Sequence, residues 1–418
     1  MGIRIDVSRK FMRIKHNILC VKRKKRLSKY LGCGIMEKRN EIIMKNENYL
    51  KAVEHLKGGN YLEALQELVA LADAGCADSQ KTLGDIYSSG KGVKQNYEEA
   101  LKYYRLSAQQ GHGEAQYWLG YMYEEGLGVD ADMNEAIGWY KKSAENGYSV
   151  AQGNLGLIYY YGQNLVADYS KAIYWFERAV ESGDVIISAY HLGEMYLQGK
   201  GCEQNIEKAV EYYTKSANLG HKDAEFILGN LHAQGKIIAQ NLVGAVKWYR
   251  LAAEKGHDKA QYWLGYMCEY GYGTPKNLTE AVKWYQQSAN HGNKLAYYKL
   301  GQMYEFGIGV EMDLGKAISN YETSAYLEYD AGQYAYGRML YHGIGVEKNH
   351  KKAFEFFLRS AKQGHGYAQQ EVGNMYWYGI GTDKDQKQAE KWLKKANDNT
   401  DFESLTYYSS WKDLIHKI

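Results

Sequence analysis

The chain has 418 residues, and 52 Lys and Arg residues against 49 Asp and Glu give a formal net charge of +3. Its 5 cysteines are odd in number and scattered, which does not indicate a disulfide-stabilised secreted fold and favours a reduced, cytoplasmic protein. No run of 18 apolar residues occurs, so the sequence predicts no membrane-spanning helix.

The first 47 residues differ from the rest of the chain in charge. They contain 14 Lys and Arg against 4 Asp and Glu, so this segment carries +10 and the remaining residues carry −7. We predict a disordered basic tail at residues 1–43, and translation from Met36 or Met44 is an alternative that would remove most of it. A further alternative is attraction to an anionic membrane or nucleic acid. The basic cluster consists of Lys22, Arg23, Lys24, Lys25 and Arg26.

Residues 44–76 follow the tail with two short apolar stripes that flank a Gly-Gly pair. The first stripe lies between Leu50 and Leu56, and the second lies between Leu62 and Leu71. This pattern predicts a helical hairpin that shields the first hydrophobic face of whatever stacks after it.

From residue 77 onward the sequence repeats itself. A Leu-Gly pair recurs every 36 residues, with one spacing of 37, and two weaker copies follow in register. A period of 20–50 residues is typical of stacked repeat proteins, which build long surfaces rather than catalytic clefts. We number the repeats 1–9 by the Gly of each pair: Gly84, Gly120, Gly156, Gly193, Gly229, Gly265, Gly301, Gly337 and Gly373.

Each repeat has the pattern of a helical hairpin, as repeat 2 illustrates. Ala115, Leu119 and Met122 form the apolar stripe of a first helix, called helix A, and the segment 136–144 carries the stripe of a second, helix B. Gly residues separate the two helices and end helix B. Because one hairpin cannot bury both stripes, we predict an all-α solenoid of stacked antiparallel hairpins with a 36-residue repeat.

The recurrent Gly inside helix A needs a physical reason, because Gly costs a helix about 1 kcal/mol relative to Ala. We expect helix B to approach helix A so closely at Gly120 and its equivalents that only a hydrogen atom fits.

The pattern Ala-x-x-x-Leu-Gly-x-x-Tyr-x-x-Gly-x-Gly-Val, completed by Ala, Trp/Tyr-Tyr, Ala and Gly, resembles the Sel-1-like repeat family. Residues 260–292 meet it almost in full, and the resemblance covers 77–399. It implies a right-handed solenoid related to the tetratricopeptide superhelices, with a protein-binding role. Three segments depart from the pattern, so we expect their loops to differ: 162–165, 235–238 and 326–329.

The apolar stripe within residues 400–418, from Leu405 to Ile415, predicts a helix that caps the end of the array. The sequence thus divides into a tail at 1–43, a hairpin at 44–76, nine repeats at 77–399 and this capping helix.

Residue types that often carry catalysis or bind metals are explained by the repeat instead. His112 and three equivalents follow the Gly that ends helix B, and adjacent repeats stand about 10 Å apart, too far for two of them to share a zinc. The segment Gly90-Lys-Gly92 lacks the spacing of a phosphate-binding loop. Glu124 and its equivalents are expected to be solvated at a helix end. We therefore predict no metal, no cofactor and no enzymatic activity.

Tyrosine is the unusual component, with 41 residues. In the tetratricopeptide-like superhelices helix A lines the concave face, and the resemblance places the inward residues three before, one after and five after the Gly. Aromatic residues there either form a binding groove or pack against the next repeat, and the sequence leaves both open. The predicted partner-binding residues are Tyr117, Tyr121, Glu125, Tyr262, Tyr266, Tyr270, Tyr298, Phe306 and Arg338.

The sequence favours a non-catalytic, cytoplasmic and bacterial scaffold that holds another protein or a peptide in a Tyr-rich groove. One alternative is a peripheral adaptor held to anionic membrane or nucleic acid by the basic tail. The other is an enzyme or small-ligand binder that uses the groove.

Overall fold

The computed structural model describes residues 46–398, and this part of the chain is helical with no β-strand. Consecutive helices pack against one another in pairs, which confirms the predicted all-α solenoid of stacked hairpins. No helix of the described part is long and apolar enough to cross a membrane. The basic cluster at 22–26 and the predicted capping helix at 400–418 lie outside the described residues.

Two helices, 46–57 and Tyr61–Asp73, precede the repeats where the hairpin was predicted. In repeats 1–9 helix A spans Ala77–Ser89, Gly113–Glu125, Ser149–Tyr161, Ile186–Gln198, Lys222–Gln234, Asp258–Tyr270, Lys294–Phe306, Asp330–His342 and Gly366–Tyr378. Helix B spans Tyr97–Gln109, Met133–Glu145, Tyr169–Ser182, Ile206–Asn218, Leu242–Glu254, Leu278–Asn290, Leu314–Tyr326, His350–Lys362 and Gln386–Asn397. The domain boundaries drawn at 43, 76 and 399 stay predictions.

Packing divides the described residues into two compact units, 46–155 and 156–398, called unit 1 and unit 2. In each unit the core lies between helices A and B of a repeat and between one repeat and the next. The largest fully buried rings of unit 1 are Tyr104 and Tyr140. Those of unit 2 are Phe176, Tyr213, Tyr249, Trp263, Tyr285, Tyr321 and Phe357.

The ends of the helices follow from residue types at fixed repeat positions. Each helix A ends at a Gly with φ between 64° and 75°, a left-handed conformation that Gly adopts without steric cost. Each helix B starts after an Asn or Asp whose side chain accepts a backbone N–H, which satisfies donors that have no partner inside the helix. These capping residues are Asn96, Asp132, Asp168, Asn205, Asn241, Asn277, Asp313, Asn349 and Asp385.

Two of the three loops expected to differ keep the shape of the others. Asn164 and Glu328 adopt φ values of 55° and 56°, so each takes the left-handed conformation of the Gly that it replaces. Asn tolerates this region well, whereas Glu rarely adopts it. In repeat 5 the equivalent position is Ile237, which has no positive φ, and there the loop does depart from the pattern.

In repeats 1–8 the Gly inside helix A lies directly against a ring of helix B, and in repeat 9 Gly373 lies against Leu393, which confirms the predicted close approach. A Cβ atom added to Gly265 would lie 2.9 Å from Cδ1 of Tyr285, and one added to Gly156 would lie 2.5 Å from the ring of Phe176. Both distances are shorter than real Cβ contacts, so even Ala would displace the ring.

Buried polar side chains repeat with the same period and bind the helix ends. Ser288 of helix B donates to the carbonyl of Asp258 at 2.7 Å within repeat 6, and Gln261 donates to the carbonyl of Ala253 in the preceding repeat at 3.0 Å. Such bonds satisfy backbone carbonyls that would otherwise be buried without a partner.

Candidate protein-interaction surface

The aromatic residues three positions before the Gly of helix A pack against the next repeat. In unit 2 each of four such rings contacts the residue 31 positions later in the sequence, which begins the following helix A. The centroid distances are 4.6 Å for Tyr190–His221, 4.4 Å for Phe226–His257, 5.5 Å for Tyr298–Tyr329 and 4.7 Å for Tyr334–His365. In unit 1, Tyr117 lies 5.4 Å from Tyr148 in the same way. This row therefore connects repeats, which is the packing alternative left open by the sequence.

Two residues predicted to contact a partner, Tyr262 and Tyr266, are buried. Their side chains are 3% and 4% exposed, and Trp263 between them is 1% exposed. The ring of Tyr266 lies 5.6 Å from Trp263 and 4.6 Å from Tyr270. Burial in this cluster prevents direct contact of Tyr262 and Tyr266 with a partner unless the cluster rearranges, so the prediction of direct contact is corrected for these two.

The last residue of helix A, five positions after the Gly, is exposed in four consecutive repeats of unit 2. Phe306 is 62% exposed, Tyr378 is 69% exposed and Tyr270 is 42% exposed, and His342 between them is also exposed. We call Tyr270, Phe306, His342 and Tyr378 the exposed row. Of the residues predicted from the sequence, Tyr270 and Phe306 belong to it, and Tyr298 is half-buried nearby in the chain.

A charged network fixes the first ring of the exposed row. Lys299 Nζ lies 3.0 Å from the hydroxyl of Tyr270 and 3.2 Å from Glu269, and it also faces the rings of Tyr266 and Tyr270 at 5.4 and 5.1 Å. A cation over an aromatic face stabilises both groups. Tyr270 is therefore held in one orientation before any partner arrives.

The carboxylates expected to be solvated are instead acceptors for buried tyrosines. Tyr285 donates to Glu269 at 2.6 Å and Tyr321 donates to Glu305 at 2.8 Å. Burial, together with the neighbouring carboxylates, raises the pKa of both tyrosines well above the usual range, so both hydroxyls stay protonated donors. The predicted contact residue Arg338 is half-buried and pairs with Glu305.

Unit 1 contains the remaining predicted residues, Tyr117, Tyr121 and Glu125. Glu125 is exposed, and the two tyrosines are half-buried on either side of Trp118, whose ring lies 5.4 Å from Tyr117 and 5.7 Å from Tyr121. Sequence reasoning missed both Trp118 and Lys299. Both occupy the position two before the Gly. This position also varies between repeats, but it is not one of the three positions that were predicted to face inward.

The histidines that follow helix B cap the next helix A. Nδ1 of His112 accepts the backbone N–H of Ala115 at 3.2 Å, and His257 does the same for Ala260 at 3.1 Å. The repeat therefore explains these histidines, and each ring acts at the N-terminus of the following helix A. Within residues 46–398 no group of three or more His, Cys, Asp or Glu side chains could hold a metal ion.

Comparison with known proteins connects this architecture to a family. A family model described as Sel1 repeat matches nine consecutive segments: residues 77–112, 113–148, 149–184, 186–221, 222–257, 258–293, 294–329, 330–365 and 366–401. No curated protein sequence matches the chain.

Two crystal structures resemble the chain over most of its length. One is a protective antigen of uropathogenic Escherichia coli strains that displays an SLR fold, with 31% identity and a TM-score of 0.79 over 90% of this chain and 81% of that one. The other is a Sel1 repeat protein from Oxalobacter formigenes, with 30% identity and a TM-score of 0.58 over 72% of this chain and 87% of that one.

Proposed function

Because the chain belongs to the Sel1 repeat family, we propose that it is a non-catalytic scaffold that binds another protein through the exposed row of unit 2. Sel1 repeat solenoids are generally protein-interaction scaffolds. For this chain we propose that the exposed row, Tyr270, Phe306, His342 and Tyr378, makes the contact with the partner.

The observation that supports the proposal most is the exposure of Phe306. Its ring is 62% exposed and has no polar group that water could satisfy, and Tyr378 in the same repeat position is 69% exposed. A single exposed apolar side chain is ordinary, but an exposed ring recurring at one position of neighbouring repeats forms a patch. Tyrosine also supplies a large amphipathic contact at low conformational cost, which is why it is enriched in binding hot spots.

The spacing of the row favours an extended segment of the partner. Neighbouring helices pack about 8–10 Å apart, so successive rings stand on the order of 10 Å from one another. An extended chain advances about 3.3 Å per residue, so roughly every third residue would meet a ring. The binding of Lys299 to Tyr270 lowers the entropy that this ring loses on binding.

The test uses the full chain as bait, first to identify partners by mass spectrometry and then to measure their affinity. Phe306→Ser combined with Tyr378→Ser should weaken binding at least about tenfold, because a hot-spot anchor contributes about 2 kcal/mol and 1.4 kcal/mol is one decade. The matched control is Tyr174→Ser with Tyr326→Ser on helices B, where the side chains are 50% and 55% exposed.

Circular dichroism of both double variants should match wild type, since all four side chains are exposed. If the two double variants bind equally well, the exposed row does not carry the contact. Tyr266 is not a suitable target, because truncating that buried ring would damage the core rather than the surface.

A further inference from the structure

Three histidines of unit 2 begin helix A in repeats 5, 6 and 9. Nδ1 of His221 accepts the backbone N–H of Ala224 at 3.3 Å, and His257 and His365 accept from the equivalent alanines at 3.1 and 3.2 Å. An accepting nitrogen carries no proton, so each cap requires a neutral imidazole.

Each of these rings is also part of the contact with the preceding repeat. His257 stacks on Phe226 with centroids 4.4 Å apart, and His365 stacks on Tyr334 at 4.7 Å. His257 and His365 are buried, and His221 is half-buried beside Tyr190. One side chain therefore caps a helix and contributes to a junction between repeats.

We propose that His221, His257 and His365 form an acid-sensitive latch, in which protonation of Nδ1 loosens the junctions between repeats 4 and 5, 5 and 6, and 8 and 9. The device is independent of the proposed binding surface, because it concerns the cohesion of the array and not the exposed row.

Protonation breaks the cap for two reasons. A protonated Nδ1 is a donor and faces a backbone N–H that is also a donor, so the hydrogen bond is lost. The new positive charge then lies at a helix N-terminus, where the macrodipole is unfavourable for cations.

Carboxylates near the rings raise the pKa of the histidines, whereas burial and nearby cationic groups lower it. Asp223 lies 3.4 Å from Nε2 of His257, with Asp258 and Lys222 nearby, and Asp330 of the preceding repeat faces His365. The groups that face His221 are Asp223, Glu194, Lys222 and His191. Burial lowers the pKa of all three histidines despite the carboxylates.

Because burial lowers the pKa of these histidines, acid should destabilise the folded protein. A free histidine has a pKa of about 6.5, and the folded value is lower, so the unfolded or locally open state binds protons more readily. The contribution of the latch is complete above about pH 6.5 and is lost as the pH falls through the folded pKa.

Repeat 7 provides a control within the same unit. Its helix A begins after Asn293, whose Oδ1 accepts the backbone N–H groups of Leu295 and Ala296 at 3.0 and 3.3 Å. An amide makes this cap without titrating near neutral pH. The junction between repeats 6 and 7 should therefore keep its cap in acid.

Hydrogen–deuterium exchange of the full wild-type chain tests the proposal directly. Rates at about pH 7.5 and about pH 5.5, corrected for the intrinsic pH dependence of exchange, should show lost protection at Ala224, Ala260 and Ala368. Protection at Ala296 should persist. Equal loss at all four positions, or no loss at any, would overturn the latch.

A triple variant, His221→Asn, His257→Asn and His365→Asn, tests whether these side chains are the cause. It keeps a cap acceptor and removes the titration, so most of the fall in Tm between about pH 7.5 and about pH 5.5 should disappear. An unchanged pH dependence in a folded variant contradicts the proposal. If the variant does not fold at neutral pH, the wild-type exchange experiment decides the question by itself.

Discussion

Repeats 2 and 6 contain the same eight residues in helix A, yet these residues are buried to different degrees. The shared segment, Ala-Gln-Tyr-Trp-Leu-Gly-Tyr-Met, spans 115–122 in repeat 2 and 260–267 in repeat 6. Trp118 is half-buried, whereas the equivalent Trp263 is 1% exposed. The sequence of a repeat alone therefore does not determine which of its rings a partner can reach.

One ring of this segment, that of Tyr266, is covered by a side chain of the next repeat. Repeat 3 has Asn154 at the position where repeat 7 has Lys299. Lys299 lies over the ring of Tyr266 at 5.4 Å, while the shorter Asn154 makes one long contact of 3.5 Å with the hydroxyl of Tyr117. Lys299 thus covers Tyr266, which is 4% exposed, whereas the equivalent Tyr121 is half-buried.

The largest effect expected from this comparison concerns the two tryptophans. Trp263→Ala should lower the free energy of unfolding by about 3–5 kcal/mol, the range for truncating a buried aromatic side chain. Trp118→Ala should cost roughly half as much or less, because its ring already contacts solvent and loses less buried area. Chemical denaturation followed by circular dichroism measures both, and equal losses would show that the two environments do not differ energetically.

The contact inside each repeat, in contrast, is the same in repeats 2 and 6. A Cβ atom added to Gly120 or to Gly265 would lie 2.9 Å from the ring of Tyr140 or Tyr285. Gly120→Leu and Gly265→Leu should therefore destabilise by similar amounts, within the range of about 1–3 kcal/mol for overpacking. Denaturation midpoints of the two variants provide the measurement, and an unchanged midpoint for either would show that this Gly is not needed for packing.

The fold was predictable from the sequence because it depends on contacts that recur in every repeat. The contact between the Gly of helix A and a large side chain of helix B, like the Asn or Asp cap of helix B, needs only residues at fixed positions of one hairpin. The loop at Glu328 was not predictable in this way, since Glu rarely adopts the φ of 56° that it has here.

The candidate surface was predictable only in part, because it depends on contacts between repeats. Phe306 and Tyr266 both occupy positions that were predicted to face inward, yet Phe306 is 62% exposed and Tyr266 is 4% exposed. What separates them is the covering side chain from the following repeat, such as Lys299 over Tyr266. A pattern read within one repeat cannot include that contribution.

Asn154→Lys should transfer the cover of Tyr266 in repeat 6 to the equivalent Tyr121 of repeat 2. The substitution gives repeat 3 the residue of repeat 7, and a cation over the ring should stabilise the chain by about 1 kcal/mol. The phenol of Tyr121 should become less reactive towards nitration, as measured by peptide mapping. Asn154→Gln, which stays uncharged, is the control, and unchanged reactivity in the Lys variant would contradict the covering explanation.

The smallest expected effect concerns Asp184, which lies between helix B of repeat 3 and helix A of repeat 4. Burial raises its pKa from 3.8 to about 6, so the folded protein binds a proton there more readily than the unfolded chain. The ionised carboxylate is therefore unfavourable above about pH 6, and this cost disappears as the pH falls below 3.8, opposite in sign to the three histidine caps.

Asp184→Asn removes the charge without changing the shape, so it should stabilise the chain by about 1 kcal/mol at pH 7.5, a value discounted for the part of the carboxylate that solvent reaches. Denaturation midpoints at several pH values measure the difference, with the exposed Asp130→Asn as the matched control. The advantage of the Asp184 variant should shrink on acidification, because protonation removes the same charge from the wild-type protein. An advantage that grows below pH 6, or one shared by the Asp130 variant, would contradict burial as the cause.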